Sequence, residues 1–147
     1  MFCVLKCRFV MEDMMVLAVY ILTALAAVFD IKDSRIPNAL NLAGIITGLV
    51  LGFARAGPGG LLGTCSDTAA MFFITFLLFL THALRGGDGK LLCAISAILG
   101  LTCGCRILFT AMVISVPAGL IRKTETSKSP ITIRFAVPVF LSTLLWL

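Results

Sequence analysis

The stretch "MFFITFLLFLTHALRGGDGKLLCAISAIL", residues 71–99, carries two apolar runs joined by six small or charged residues, "RGGDGK" at 85–90. Both runs are long and apolar, and they read as membrane-spanning helices. Charge is expensive beside a hydrocarbon core. Asp88, set between glycines at the end of such a run, therefore needs a reason to be there.

The rest of the chain repeats the pattern. Of 147 residues, 60% are hydrophobic and only 13% charged, against about 25% charged in a typical soluble domain. A chain of this length makes one domain, 1–147. The composition predicts an all-α polytopic membrane helix bundle. The net charge of +5 is then a matter of topology and anionic lipid, with the bilayer itself as partner. Basic and aromatic residues do not interleave, so nucleic acid is not an expected partner. The six cysteines form no C-x-x-C pair, and Cys103-x-Cys105 is too tight for zinc. They read as small apolar residues in helices, and neither a metal nor a cofactor is expected. His82, the only histidine, has no ligand-spaced companion and reads as a neutral buried or interfacial residue.

Charges punctuate the chain into apolar spans at 14–29, 36–54, 68–84, 91–105, 107–121 and 131–147. Six transmembrane helices is the first reading, with five or four as alternatives if the fourth and fifth spans turn back at "GLTCGC", residues 100–105. Several spans fall short of the usual length of about 20 residues, which snorkelling and local thinning can absorb. "ARAGPGG" (54–60) opens a Gly/Pro turn. Glu12 and Asp13 interrupt any signal-peptide pattern, so the first span is expected to be retained after a short extracytoplasmic tail, 1–13; Met11, Met14 and Met15 offer later starts. On six spans, Lys32, Arg35, Arg85, Lys90, Arg122, Lys123, Lys128 and Arg134 share one side, leaving four basic residues on the other. Positive-inside logic makes the richer side cytoplasmic, in a plasma or inner membrane. Trp146 reads as an interfacial anchor.

That topology puts Asp30, ending span one, and Asp88, following span three, at the same cytoplasmic boundary. Two carboxylates at one depth resist joint ionisation and share a proton, so one can act as base on water while the other serves the carbonyl. Gly86, Gly87 and Gly89 allow close backbone approach and positive φ. Each feature alone also has a plain reading: an ordinary glycine turn, an interfacial aspartate.

Together, "DIKDSRIPNALN" (30–41) and "GGDGKLL" (86–92) resemble the two motifs of the type IV prepilin peptidases. The first runs from an aspartate through basic residues to Ile36-Pro37-Asn38; the second is the Gly-x-Gly-Asp box followed by Lys90. Order and the separation of 58 positions agree. "SPITIRFAVPVFLS" (129–142) also looks like the family's last helix. The resemblance implies that Asp30 and Asp88 are the catalytic dyad of a membrane aspartyl endopeptidase. It would cut the basic leader from prepilin or pseudopilin substrates at the cytoplasmic face. The chain has no room for the cysteine-bearing insert of larger members, so it looks like the small peptidases of tight-adherence (Flp) pilus systems or of preflagellins, without N-methyltransferase activity. One position departs: Arg85 stands where the box has its first glycine. That raises an alternative, a catalytically impaired homologue serving as a membrane subunit of a pilus or secretion system; a small channel or transporter is another. Asp33 is an alternative partner for Asp88. Pro37 suits a helix start, Asn38 a cap or loop bond, and Lys90 a charge partner for Asp88, a contact to an acidic group of the substrate or a membrane anchor. The prepilin cleaved and the oligomeric state are not readable from the chain.

Overall fold

Proline and glycine set where the helices stop. The computed structural model describes the backbone of residues 2–33, 37–81, 84, 86–125 and 135–146, and the side chains of 13–32, 37–81, 84, 86–115 and 135–146. All regular structure among these residues is helical: α1 (Phe2–Asp33), α2 (Asn38–Leu80), α3 (Gly86–Leu99), α4 (Leu101–Glu125) and α5 (Ala136–Trp146). Pro37 precedes α2 in extended conformation, φ −60° and ψ 132°. It lacks an N–H and disfavours helix in the residue before it. Gly100 ends α3 at φ 88°, its N–H bonded to Ser96 O at 2.8 Å, a left-handed glycine stop.

The helix α2 is broken into two arms, 38–55 and 58–80. Ala56 (φ −142°, ψ 21°) and Gly57 (φ 59°, ψ −142°) leave helical geometry, and Pro58 restarts the helix where a missing N–H matters least. The arms fold back on each other: a Cβ on Gly52 would land on Thr64 Oγ1, and one on Gly60 on the carbonyl oxygen of Gly52. The turn is thus two residues wide, and 58–67, expected to lie in a longer connection, is helical. Gly57 occupies a region that side chains rarely enter. Gly57→Ala is expected to lower stability by about 1–3 kcal/mol, read as a melting midpoint in detergent. Gly59→Ala, where a Cβ would meet nothing within 4 Å, should not.

Other boundaries also move. The fourth span closes at Leu99 rather than at residue 105, because Gly100 turns the chain while 101–105 already belong to α4. The residues expected to form an N-terminal tail are helical from Phe2 onward.

Helix α3 is the central element, with Leu91 through Ile98 all buried. The first arm of α2 packs along it through Gly44 against Ala94 and Gly48 against Ala97. The second arm packs on another side through Thr75, against Gly89 and Cys93, and through the Asp67 carbonyl, which accepts from Ser96 Oγ at 3.2 Å. Helix α5 meets α1 where Thr143 and Thr23 hydroxyls lie 3.5 Å apart, and meets α4 where Ser142 Oγ donates to Ile107 O at 3.0 Å.

The distribution of polarity is that of a protein in lipid. Leu62, Phe73, Phe109 and Leu145 are all at least 70% exposed, whereas Thr23, Asp30, Asn41, Thr75, Asp88, Ser96, Ser142 and Thr143 are buried. Thr23, Thr47, Thr68, Thr75 and Thr110 bond the carbonyl four residues back in their own helices, which satisfies a hydroxyl with no water at hand. Two segments, Asp13–Lys32 and Asn38–Leu80, are long and apolar enough to cross a membrane. Trp146 stacks near Arg106, 5.4 Å from its ring centre, and donates from Nε1 to Thr110 at 2.8 Å, which pins the end of α5 to α4.

Candidate active site

Helix directions carry both aspartates to one end of the bundle. Leu22 of α1 and Ala94 of α3 meet at Gly44 of α2; a Cβ there would lie 2.9 Å from each. The short connection from α1 to α2 makes α1 antiparallel to the first arm. Helix α3 runs the same way as that arm, since Gly44 and Gly48 face Ala94 and Ala97 in order. From the shared level, Asp30 lies about 12 Å along α1, while Asn38 and Asp88 each lie about 9 Å back along their helices. All three are therefore at the same end. The two motifs are tied there directly: Lys90 Nζ donates to Asn38 Oδ1 at 3.0 Å, across 52 positions of sequence.

Both carboxylates are 4% exposed. Asp88 sits in the first turn of α3, in the positive field of a helix N-terminus. Asp30 sits in the last turn of α1, in the negative field of a C-terminus. The site is recessed: Gly89 is level with Thr75, and α2 runs on to Leu80, about 7 Å further.

Several expected roles change. The glycine box is not a turn: Gly86, Gly87, Asp88 and Gly89 are helical. None of the three glycines has positive φ. Close approach is the feature that holds, since a Cβ on Gly89 would be 3.3 Å from Thr75 Cβ. Asn38 makes no helix cap; its side chain serves Lys90 instead. Pro37 stands one position before the helix rather than in its first turn. Ile36, His82 and Arg85, and the side chain of Asp33, lie outside the described residues. No metal-ligating cluster occurs among the described residues, and Cys65, Cys93, Cys103 and Cys105 are free thiols within helices.

Two features escape sequence reasoning. Gly44, Gly48 and Gly52, in "GIITGLVLG", form a stripe at four-residue spacing that seats the first arm of α2 on α1, on α3 and on its own second arm; that spacing is a legible packing signal. Asn41, one turn into α2, is 2% exposed, and neither Oδ1 nor Nδ2 has a hydrogen-bond partner among the described residues. A polar residue three positions after Asn38, on its face of the helix, was the available clue.

The model of the type IV leader peptidase family matches residues 17–121, which include both aspartates and both motifs. No curated protein and no solved structure gives a significant match. With a family match over most of its length, this chain belongs to the type IV leader peptidase family.

Proposed function

We propose that the protein is a membrane aspartyl endopeptidase that removes basic leader peptides from type IV or Flp prepilin-like proteins at the cytoplasmic membrane face, with Asp30 and Asp88 as its catalytic pair. The observation that carries this reading is the placement of two buried carboxylates at one end of the bundle, on the ends of different helices. Family membership supports peptide hydrolysis as the activity, and the excess of basic residues on the loops beside both aspartates supports a cytoplasmic orientation of a multi-pass chain.

The helix-end fields suggest the division of labour. Asp88, at the N-terminus of α3, is the carboxylate that takes a proton from water. Asp30, at the C-terminus of α1, holds the shared proton and gives it to the scissile carbonyl oxygen. Water oxygen bonds to the carbonyl carbon, forming a tetrahedral diol. The carbon–nitrogen bond then breaks, the leaving amine takes the proton held by Asp88, and the proton on the diol returns to Asp30. No metal or cofactor enters, and no methyl transfer is expected to follow.

Arg85 favours one competing reading, an impaired homologue that binds pilus components without cutting them. The test is cleavage of a co-expressed Flp-type prepilin, followed by gel shift. Cleavage by the wild-type chain is the expected result. A well-inserted wild type that leaves several prepilins intact, also after Arg85→Gly, overturns the peptidase reading. Cleavage only after Arg85→Gly would mark a peptidase silenced at that position.

A further inference from the structure

A second recess lies at the other end of α3, about 18 Å along the helix axis from Asp88. Gly48 of α2 faces Ala97, so Arg55, seven residues on, stands about 8 Å past the last residue of α3, Leu99. The two arms of α2 overhang the helix end there, and Met15 of α1 lines the same space. Between them is a cavity of about 590 Å³, the size of a small-ligand site.

The cavity has a polarity. Arg55 lies at its rim, next to the start of the second arm, where the free N–H groups of a helix N-terminus add positive field. Asp67 lies deeper, about 14 Å down that arm from Pro58. One of its carboxylate oxygens sits over the end of α3, where a Cβ on Gly100 would be 3.4 Å from it. The C-terminal end of α3 lines the floor and adds the negative end of its dipole. Thr64, at an intermediate level of the same arm, contributes a hydroxyl.

Asp67 has no part in the chemistry proposed for Asp30 and Asp88. Its backbone carbonyl accepts from Ser96, but no hydrogen bond or ion pair holds its carboxylate among the described residues. A carboxylate within a membrane-spanning helix is costly and marks a site by default. One carboxylate is too few for a metal, and no metal-ligating cluster occurs among the described residues. The arrangement fits a cation at the floor joined to an anion at the rim. Arg55 carries five donors in a planar fork that matches phosphate, enough to hold one beside any other contact.

We propose that this cavity binds a phosphoethanolamine group, with its primary ammonium on Asp67 and its phosphate on Arg55. The three N–H donors of the ammonium serve the carboxylate, the Thr64 hydroxyl and the last carbonyls of α3. Phe53 and Leu62, exposed on the outside of the hairpin, set this end in lipid, so the group can arrive as the head of phosphatidylethanolamine. A soluble phosphoethanolamine ester offers the same chemistry. A choline head has no N–H donor and a glycerol head has no cation, so neither satisfies the floor. Because Arg55 and Asp67 stand on different arms, the bound group ties the hairpin together. The site does not depend on the peptidase reading.

The experiment uses the full chain in phosphatidylcholine nanodiscs, with part of the lipid replaced by phosphatidylethanolamine. The melting midpoint should rise by about 4 °C, the shift that a ligand at about ten times its Kd gives a chain of this length. Asp67→Asn should abolish the rise, yet melt like the wild type in phosphatidylcholine alone, because no partner within the protein is lost. Arg55→Gln should reduce the rise. On the wild type itself, successive N-methylation of the ethanolamine head should shrink the rise step by step, and phosphatidylglycerol should give none. No rise in the wild type overturns the proposal. So does an equal rise in Asp67→Asn, an equal rise with phosphatidylglycerol, or a rise indifferent to methylation, each of which would reflect the bilayer and not the cavity. A lower midpoint of Asp67→Asn in phosphatidylcholine alone overturns it too, by making Asp67 a structural residue. Soluble glycerophosphoethanolamine separates the sources: a rise when it is added to phosphatidylcholine nanodiscs assigns a free ligand, and a rise with phosphatidylethanolamine only assigns the lipid, either of which upholds the site.

Discussion

Asp30→Asn and Asp88→Asn should each reduce prepilin cleavage by about 10³-fold or more, with membrane insertion and thermal stability retained. Asparagine keeps the shape of the side chain but can neither accept the proton of an attacking water nor supply one to the carbonyl. Both positions are 4% exposed, so a change of size would disturb packing and confuse the result; the near-isosteric change does not. The readout is paired: mass spectrometry or gel shift of a co-expressed prepilin, and a melting midpoint of each purified variant. A variant that melts normally and does not cleave has lost chemistry rather than structure. Persistent cleavage by Asp30→Asn would transfer the partner role to Asp33, three residues on. Persistent cleavage by Asp88→Asn would remove the dyad altogether.

The recess of the site gives this result a second meaning. The N-terminus of α3 stops short of the end of α2, and α3, at 14 residues or about 21 Å, is shorter than a hydrocarbon core of about 30 Å. Being central and buried, α3 need not match the membrane thickness as an outer helix must. Its first turn can therefore hold Asp88 inside the rim made by longer helices. A peptide cleaved there has to bring its backbone to that depth.

Much of this was legible because charge is so unwelcome in an apolar chain. Asp30, Lys32 and Pro37 mark the first corner and "RGGDGK" the second, and the two aspartates stand out for the same reason. Where punctuation misled, geometry overrode composition. Arg106 reads as a boundary between spans four and five, but the chain turns at Gly100, since a single left-handed glycine stops a helix more firmly than a charge that can snorkel. "ARAGPGG" reads as the start of a loop, yet only Ala56 and Gly57 leave the helix. Gly60 sits where the two arms of α2 approach closely, whereas a Cβ on Gly59 would meet nothing within 4 Å. The glycine box reads as a flexible turn for a similar reason: sequence shows that a side chain is missing, not whether the gap serves a torsion angle or a neighbour. At Gly89 it serves Thr75. Asn41 was hidden because an isolated asparagine in an apolar helix becomes informative only when its partners are known to be absent.

Gly48→Leu should prevent the bundle from forming, and Gly48→Ala should destabilise it by about 1–3 kcal/mol. A Cβ on Gly48 would lie 2.6 Å from both the carbonyl carbon and the oxygen of Ala97. These are backbone atoms of the central helix, so they cannot rotate away, and relief requires α2 and α3 to separate. Gly44 is a milder case. Its Cβ would meet Ala94 Cβ and the tip of Leu22 at 2.9 Å, and the leucine can move. Gly63 is the control, with nothing within 4 Å of its Cβ; alanine there should be neutral or stabilising by up to about 1 kcal/mol from helix propensity. Melting midpoints in one detergent should therefore fall in the order Gly63→Ala, Gly44→Ala, Gly48→Ala. Equal midpoints for the three would mean that α2 and α3 do not pack through this stripe. Because Ala97 and Asp88 share one short rigid helix, the separation forced by Gly48→Ala also shifts Asp88 relative to Asp30. Cleavage by that variant should then fall at temperatures well below its melting midpoint, whereas Gly63→Ala, which leaves α3 in place, should cleave at the wild-type rate.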